Sequence, residues 1–62
     1  MKSILDILMD RDGMSSVDAK DLIVAAKEEL ETRIENGDTE FAYQVCQEFF
    51  GLEPDYLMEL LN

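Results

Sequence analysis

The alternation of apolar and polar residues along this chain has the period of α-helices. Four stretches, at about 3–11, 15–36, 39–50 and 54–61, each place apolar residues three or four positions apart, so that they fall on one face of a helix. The pattern therefore predicts an all-α fold, a compact bundle of three to four helices in one domain over 1–62. The predicted inward residues are Ile4, Leu5, Leu8, Met9, Ala19, Leu22, Ile23, Ala26, Leu30, Ile34, Phe41, Ala42, Val45, Cys46, Phe49, Tyr56, Leu57, Leu60 and Leu61.

Two helices also carry apolar residues away from these stripes. In the second helix Val24 and Ala25 form a small-residue face, which would let another helix approach closely. In the third, Tyr43 and Phe50 lie seven positions apart and are predicted to form a second stripe. The second helix is the longest, and we expect the others to pack against it.

Glycine, serine and proline mark where the helices begin and end. Gly13, Gly37 and Gly51 follow the apolar stretches as helix-ending residues, and Pro54 suits the first position of the last helix. Ser15 lies three residues before Asp18, the spacing of a capping box, and Asp38 or Thr39 is the expected cap of the third helix. The segment 10–13 has two acids at the spacing of a calcium loop but lacks the closing glutamate, which favours a capping turn.

Length and cysteine content limit how the fold is stabilised. A chain of 62 residues has a small core, and its single cysteine cannot form an internal disulfide. The chain has no histidine, so a Cys/His zinc site is excluded, and we predict no metal and no cofactor. Neither a signal peptide nor a membrane span is expected, which predicts a cytoplasmic location without membrane association.

Charge is the property that most restricts the choice of partners. The chain has 15 acidic and 5 basic residues, a net charge of −10, and all five basic residues lie within the first 33 positions. Residues 34–62 carry seven acids and no cation. Such a surface repels phosphate backbones and anionic lipids and attracts basic proteins, although acidity can also serve solubility alone.

The residue types of enzyme active sites are missing or unaccompanied. Cys46 has apolar neighbours on a predicted inward face, and the chain offers no histidine to activate it, so we interpret it as a buried structural thiol. The chain has no phosphate-binding glycine loop, and no carboxylate falls within an apolar stripe. We therefore predict a protein that is not an enzyme.

Residues 41–61 resemble the helix-turn-helix of bacterial DNA-binding proteins. Gly51 matches the glycine of the turn, and the apolar residues match the buried positions, but Gln47 stands where a small residue is usual. The residues that would face the DNA groove are Glu53, Asp55, Met58 and Glu59, without a nearby cation for phosphates. The resemblance implies the helix pair, and the charges make direct nucleic-acid binding unlikely. The matching buried positions are Cys46, Phe50, Leu52, Leu57 and Leu60.

Nearly the whole chain resembles small acidic uncharacterised helical proteins of phages and mobile elements of Gram-positive bacteria. The resemblance is carried by residues 10–15, by the turn at Gly37 and Asp38, and by residues 51–57. It implies a helical fold and a genetic setting, and it implies no particular activity.

Three functions follow from these patterns. The first is an interaction module that binds a basic surface of a host or phage protein, in its sharpest form as an inhibitor that mimics DNA, with Tyr43, Phe50, Tyr56 or Met58 as apolar contacts. The second is a structural or assembly protein that forms a homodimer, and the third is a divergent helix-turn-helix DNA-binding protein. The candidate partner-binding residues are Glu40, Tyr43, Glu48, Glu53, Asp55, Met58 and Glu59.

Overall fold

The computed structural model of the chain describes residues 2–61, and these residues form an all-α bundle. α3 leads into α4 across Gln44, and a 3-10 turn leads into α5, so the elements group into four helical segments. The predicted all-α bundle is confirmed. No strand occurs between residues 2 and 61. The elements are α1 (Ile4–Asp12), α2 (Ser16–Glu35), α3 (Thr39–Tyr43), α4 (Val45–Phe50), the 3-10 turn (Pro54–Tyr56) and α5 (Leu57–Leu61).

Most helix ends are set by residues that the sequence indicated, and Ser3 is a further cap that was not predicted. The hydroxyl of Ser3 accepts a hydrogen bond from the backbone N–H of Asp6, and that of Ser15 accepts one from Asp18, both at 3.2 Å. After α1 and α4, Gly13 and Gly51 adopt φ values of 67° and 65°, the left-handed conformation that glycine reaches without strain. Asp38 precedes α3, but its side chain makes no capping hydrogen bond.

The bundle is built around α2. This helix has 20 residues, about 30 Å at 1.5 Å per residue, and it contacts α1, α3, α4 and α5. Ala19 and Ala26, seven positions apart, are fully buried, so their small side chains let the neighbouring helices approach the α2 backbone. The largest fully buried side chains are Ile4, Leu8, Leu30, Val45 and Cys46. None of the helices described between residues 4 and 61 has the length and apolarity to cross a membrane.

The residue at the end of the α2 core face is not the one predicted. Ile34 was expected to face inward, yet its exposed fraction is 48%, whereas that of Arg33 is 6%. Arg33 lies seven residues after Ala26, which itself lies seven after Ala19, so Arg33 continues the row that faces the core. Ile34 is turned about 100° away from that row.

Other outer and inner positions also differ from the predictions. Met9, Phe41 and Leu61 were expected to face inward but are exposed. Met9 and Leu61 each follow a buried leucine that takes the core position, so they are rotated to its side. Phe50 is buried, as its helix-turn-helix-like position predicted, and it is therefore not the external apolar contact that was also suggested.

The break between α3 and α4 explains the position of Phe50. The predicted helix over 39–50 is interrupted at Gln44, whose N–H donates to the carbonyl of Phe41 at 3.2 Å. The same carbonyl accepts a hydrogen bond from Nη1 of Arg33 at 2.9 Å. A regular α-helix would direct this carbonyl to the N–H of Val45. Because the helical phase changes here, Tyr43 and Phe50 no longer share a face.

Candidate functional site

Among residues 2–61, ion pairs engage three of the five basic side chains, which leaves the acidic surface little compensated. Lys2 pairs with Asp10 at 3.0 Å, on the exposed side of α1. Arg11 pairs with Asp12 at 2.9 Å, and these hydrogen bonds hold the pKa of the Asp12 carboxyl below its usual value. A third hydrogen bond from Arg11 goes to the carbonyl of Phe50, at the end of α4.

The third engaged cation, Arg33, is held inside the bundle by two carboxylates, a carbonyl and an aromatic ring. Its Nε donates to Oε1 of Glu29 at 3.0 Å, and its Nη1 donates to Oε2 of Glu48 at 2.6 Å and to the Phe41 carbonyl. The guanidinium carbon lies 3.7 Å from the centre of the Phe41 ring. We call these four residues, Glu29, Arg33, Phe41 and Glu48, the Arg33 cluster.

The Arg33 cluster fixes a permanent charge inside the fold. The hydrogen bond with Glu48 raises the pKa of the Arg33 guanidinium, against the opposing effect of burial. The pair of Glu29 and Arg33 has the i, i+4 spacing of ion pairs on a helix. The link to Glu48 was not predicted. The spacing of 19, 26 and 33 was the one sequence signal that Arg33 faces the core.

The seven candidate partner-binding residues are exposed, but two of them also hold the fold together. Glu48 is partly exposed while it binds Arg33. Glu59 was expected to point outward, yet its Oε2 accepts a hydrogen bond from the backbone N–H of Ile4 at 2.9 Å, joining α5 to the start of α1. Among residues 2–61, no hydrogen bond or ion pair joins two of the seven. The other five are Glu40, Tyr43, Glu53, Asp55 and Met58, the last with an exposed fraction of 70%.

A shallow depression lies where α2 passes into α3. It has a volume of about 460 Å³, and its lining includes two carboxylates and the ring of Phe41. Glu40 is the one candidate partner-binding residue in it. We call this feature the α3 depression, and its lining residues are Gly37, Asp38, Thr39, Glu40, Phe41 and Gln44.

A second acidic surface, which the sequence predictions did not single out, runs along α2. Asp21, Glu28 and Glu35 are exposed and lie seven residues apart, so they form a row with steps of about 10.5 Å on the side away from the core. We call them the α2 acidic row. Their regular spacing of seven is present in the sequence itself. Val24 and Ala25, predicted to offer a face to another helix, are exposed on the same helix.

The helix-turn-helix-like segment buries its apolar positions and exposes acids. Cys46, Phe50, Leu57 and Leu60 are buried, and Leu52 is half-buried. The residues that would face a DNA groove, 53, 55, 58 and 59, are exposed, and three of them are acidic. The nearby Arg11 donates to the Phe50 carbonyl and to Asp12. Phosphate binding by this segment would therefore have to overcome its own carboxylates.

Cys46 is buried in the core, as predicted. Burial, and next the charge of Glu59, hold the pKa of the thiol above its usual value. A protonated and enclosed thiol is a poor nucleophile at neutral pH. Within residues 2–61 no group of three or more Cys, His, Asp or Glu side chains is arranged to hold a metal ion.

In comparisons with known proteins, no protein family, curated protein or solved structure matches this chain.

Proposed function

We propose that this protein is a non-enzymatic interaction module that binds a basic surface of another protein. The observation that carries the proposal is the distribution of charge after residue 33. Seven acids follow Arg33 without any basic residue, and Arg33 itself is turned into the bundle, where it is bound by Glu29 and Glu48. An incoming basic surface would therefore meet the carboxylates of this half of the chain, and the nearby Arg11 is itself paired with Asp12.

Such a surface acts first on the rate of association. Carboxylates spread over one side of a small protein attract a basic partner over several ångströms, and this attraction is weakened by salt. In its sharpest form the partner is a nucleic-acid-binding protein, and the carboxylates occupy the positions of phosphates. The α2 acidic row supports this form, because its charges are regularly spaced along a straight helix.

The homodimer is a weaker candidate on the same evidence. The most exposed apolar residues of α2 are Val17 and Val24, which lie seven positions apart on the side away from the core. That side also carries the α2 acidic row. Two copies joined there would bring like charges together, which opposes association. A monomeric mass by light scattering at tens of micromolar is the expected result.

The proposal is tested by capture of partners from a host lysate at low and physiological ionic strength, about 0.05 M and 0.15 M salt. The affinity of a captured partner, once purified, should fall steeply as salt is raised. An affinity independent of salt would refute binding through the acidic surface. For the DNA-mimic form, duplex DNA should compete for the same partner, and failure to compete would exclude that form.

Two matched triple variants identify which acidic surface is used. One neutralises the α2 acidic row, D21N/E28Q/E35Q, and the other neutralises E40Q/E53Q/D55N in the second half of the chain. Each removes three charges, so a loss of affinity caused by net charge alone would be equal in both. We expect one variant to weaken binding much more than the other. Wild-type affinity in both would contradict the proposal.

A further inference from the structure

The α3 depression combines an aromatic surface with carboxylates. Phe41 contributes to its lining and is 45% exposed, which is unusual for a large aromatic side chain beside a core. Arg33 covers one part of the ring but does not line the depression. Phe41 therefore keeps exposed surface in addition to its contact with Arg33.

The charges around this ring favour a further cation. Asp38 and Glu40 line the depression, while Glu29 and Glu48 hold Arg33 next to it. Glu29 and Glu48 thus pair with the Arg33 guanidinium, and Asp38 and Glu40 add two further negative charges in the depression. The charge of Arg33 is more than compensated, so it does not repel a second cation from the site. The side chain of Asp38 makes no capping hydrogen bond with α3, and its oxygens are not used there.

Arginine fits this combination better than lysine. A guanidinium is planar and weakly hydrated, it stacks on aromatic rings, and it pairs with carboxylates through two hydrogen bonds. The chain provides an internal example, because Arg33 already contacts the Phe41 ring while it pairs with Glu48. The second shallow depression, of about 270 Å³ at residues 47–54, is lined by one carboxylate and no aromatic ring.

We infer that the α3 depression receives an arginine side chain of the basic partner, an inference that rests on the function proposed above. The arginine stem and guanidinium pack against Phe41, and the guanidinium pairs with Asp38 and Glu40. This makes Phe41 the apolar centre of the contact, a role for which the sequence had suggested other aromatic residues.

The probe for this inference is a blocked glycine–arginine–glycine tripeptide amide, titrated into the isotope-labelled protein and followed by amide chemical shifts. Saturable shifts are expected in residues 37–44, with an affinity about threefold or more above that of the lysine counterpart. The inference would be overturned by any of three results: chemical shifts that do not saturate, shifts that spread equally over the α2 acidic row, or equal affinities for the arginine and lysine tripeptides.

Matched variants separate the aromatic contact from general acidity. F41L should weaken tripeptide binding about threefold or more, whereas Y43L, at an exposed aromatic residue outside the depression, should leave it unchanged. F41L also removes the contact between Phe41 and Arg33. E40Q leaves this contact in place and is therefore a second test, in which we also expect weaker tripeptide binding. Equal affinities in wild type, F41L and E40Q would refute the site.

The two proposals fail in distinguishable ways. If the protein captures a basic partner in a salt-dependent manner but the tripeptide does not bind the α3 depression, only the arginine site is refuted. If capture does not depend on salt, the proposed function itself is refuted, whatever the tripeptide does.

Discussion

The hydrogen bond from Ile4 to Glu59 predicts a measurable role for the C-terminal helix in stability. The two residues are 55 positions apart, and the carboxylate accepts the N–H of the first residue of α1 at 2.9 Å. The first N–H groups of a helix have no partner within the helix. A carboxylate at that end also suits the positive pole of the helix. Replacing Glu59 with Ala removes both interactions.

The size of the effect follows from known capping energies. Removing a side chain that caps a helix costs about 1 kcal/mol, within a range of about 0.5–2 kcal/mol. A domain of this size has a total stability on the order of 3–5 kcal/mol, so the loss is a large fraction of it. It corresponds to a fall in melting temperature of roughly 4–8 °C. E59Q keeps a neutral acceptor and should lose about half as much.

The measurement is urea and thermal unfolding followed by circular dichroism. E53A is the matched control, because it removes the same charge from an exposed residue whose side chain makes no capping hydrogen bond. Its stability should lie within about 0.5 kcal/mol of wild type. If E59A and E53A have the same unfolding midpoint, the hydrogen bond does not join α5 to α1 in solution, and Glu59 is an ordinary surface acid.

Four further outcomes are expected. R33K retains the charge but cannot bind Glu48, Glu29 and the Phe41 carbonyl together, so its melting temperature should fall, whereas K27R at an exposed site should show no change. G51A places alanine at φ 65° and should cost about 1–2 kcal/mol of unfolding free energy in urea titrations. The folded state holds the pKa of the Cys46 thiol above its usual value. The contribution of this thiol to the free energy of unfolding should therefore be constant below about pH 8.5 and fall at higher pH, where the thiol of the unfolded chain ionises. Unfolding midpoints measured between pH 7 and pH 10 test whether stability falls in this direction. Added salt should raise the melting temperature, because it screens repulsion among 15 acids, and an unchanged value between about 0.01 M and 1 M would show that these charges are too dispersed to matter.

Local signals predicted the helices well because they act over a few residues. Ser15, Gly13 and Gly51 determine helix ends through bonds to backbone groups at most a few positions away. The period of apolar residues then placed the core of α2. Each of these features depends on the chain near it, so one sequence is enough to locate it.

Features that depend on distant residues could not be predicted in the same way. Hydrophobicity favoured Ile34 over Arg33 as the last inward residue of α2, because the burial of Arg33 requires Glu48, 15 positions later. The break at Gln44 follows from the bond of the same arginine to the Phe41 carbonyl. The role of Glu59 required Ile4, at the other end of the chain. In each case a charged side chain finds its partner only after folding.

The α2 acidic row and the α3 depression differ in shape, so the proposed function allows two modes of binding. The α2 acidic row lies on the side of α2 away from the core, whereas α3 and α4 pack on its core side. The row spans about 21 Å along a straight helix and suits an extended basic groove, as the DNA-mimic form requires. The α3 depression is compact and suits a single arginine. If the row variant weakens binding and F41L does not, the partner binds an extended charge pattern; if F41L is the more severe, one aromatic contact selects it.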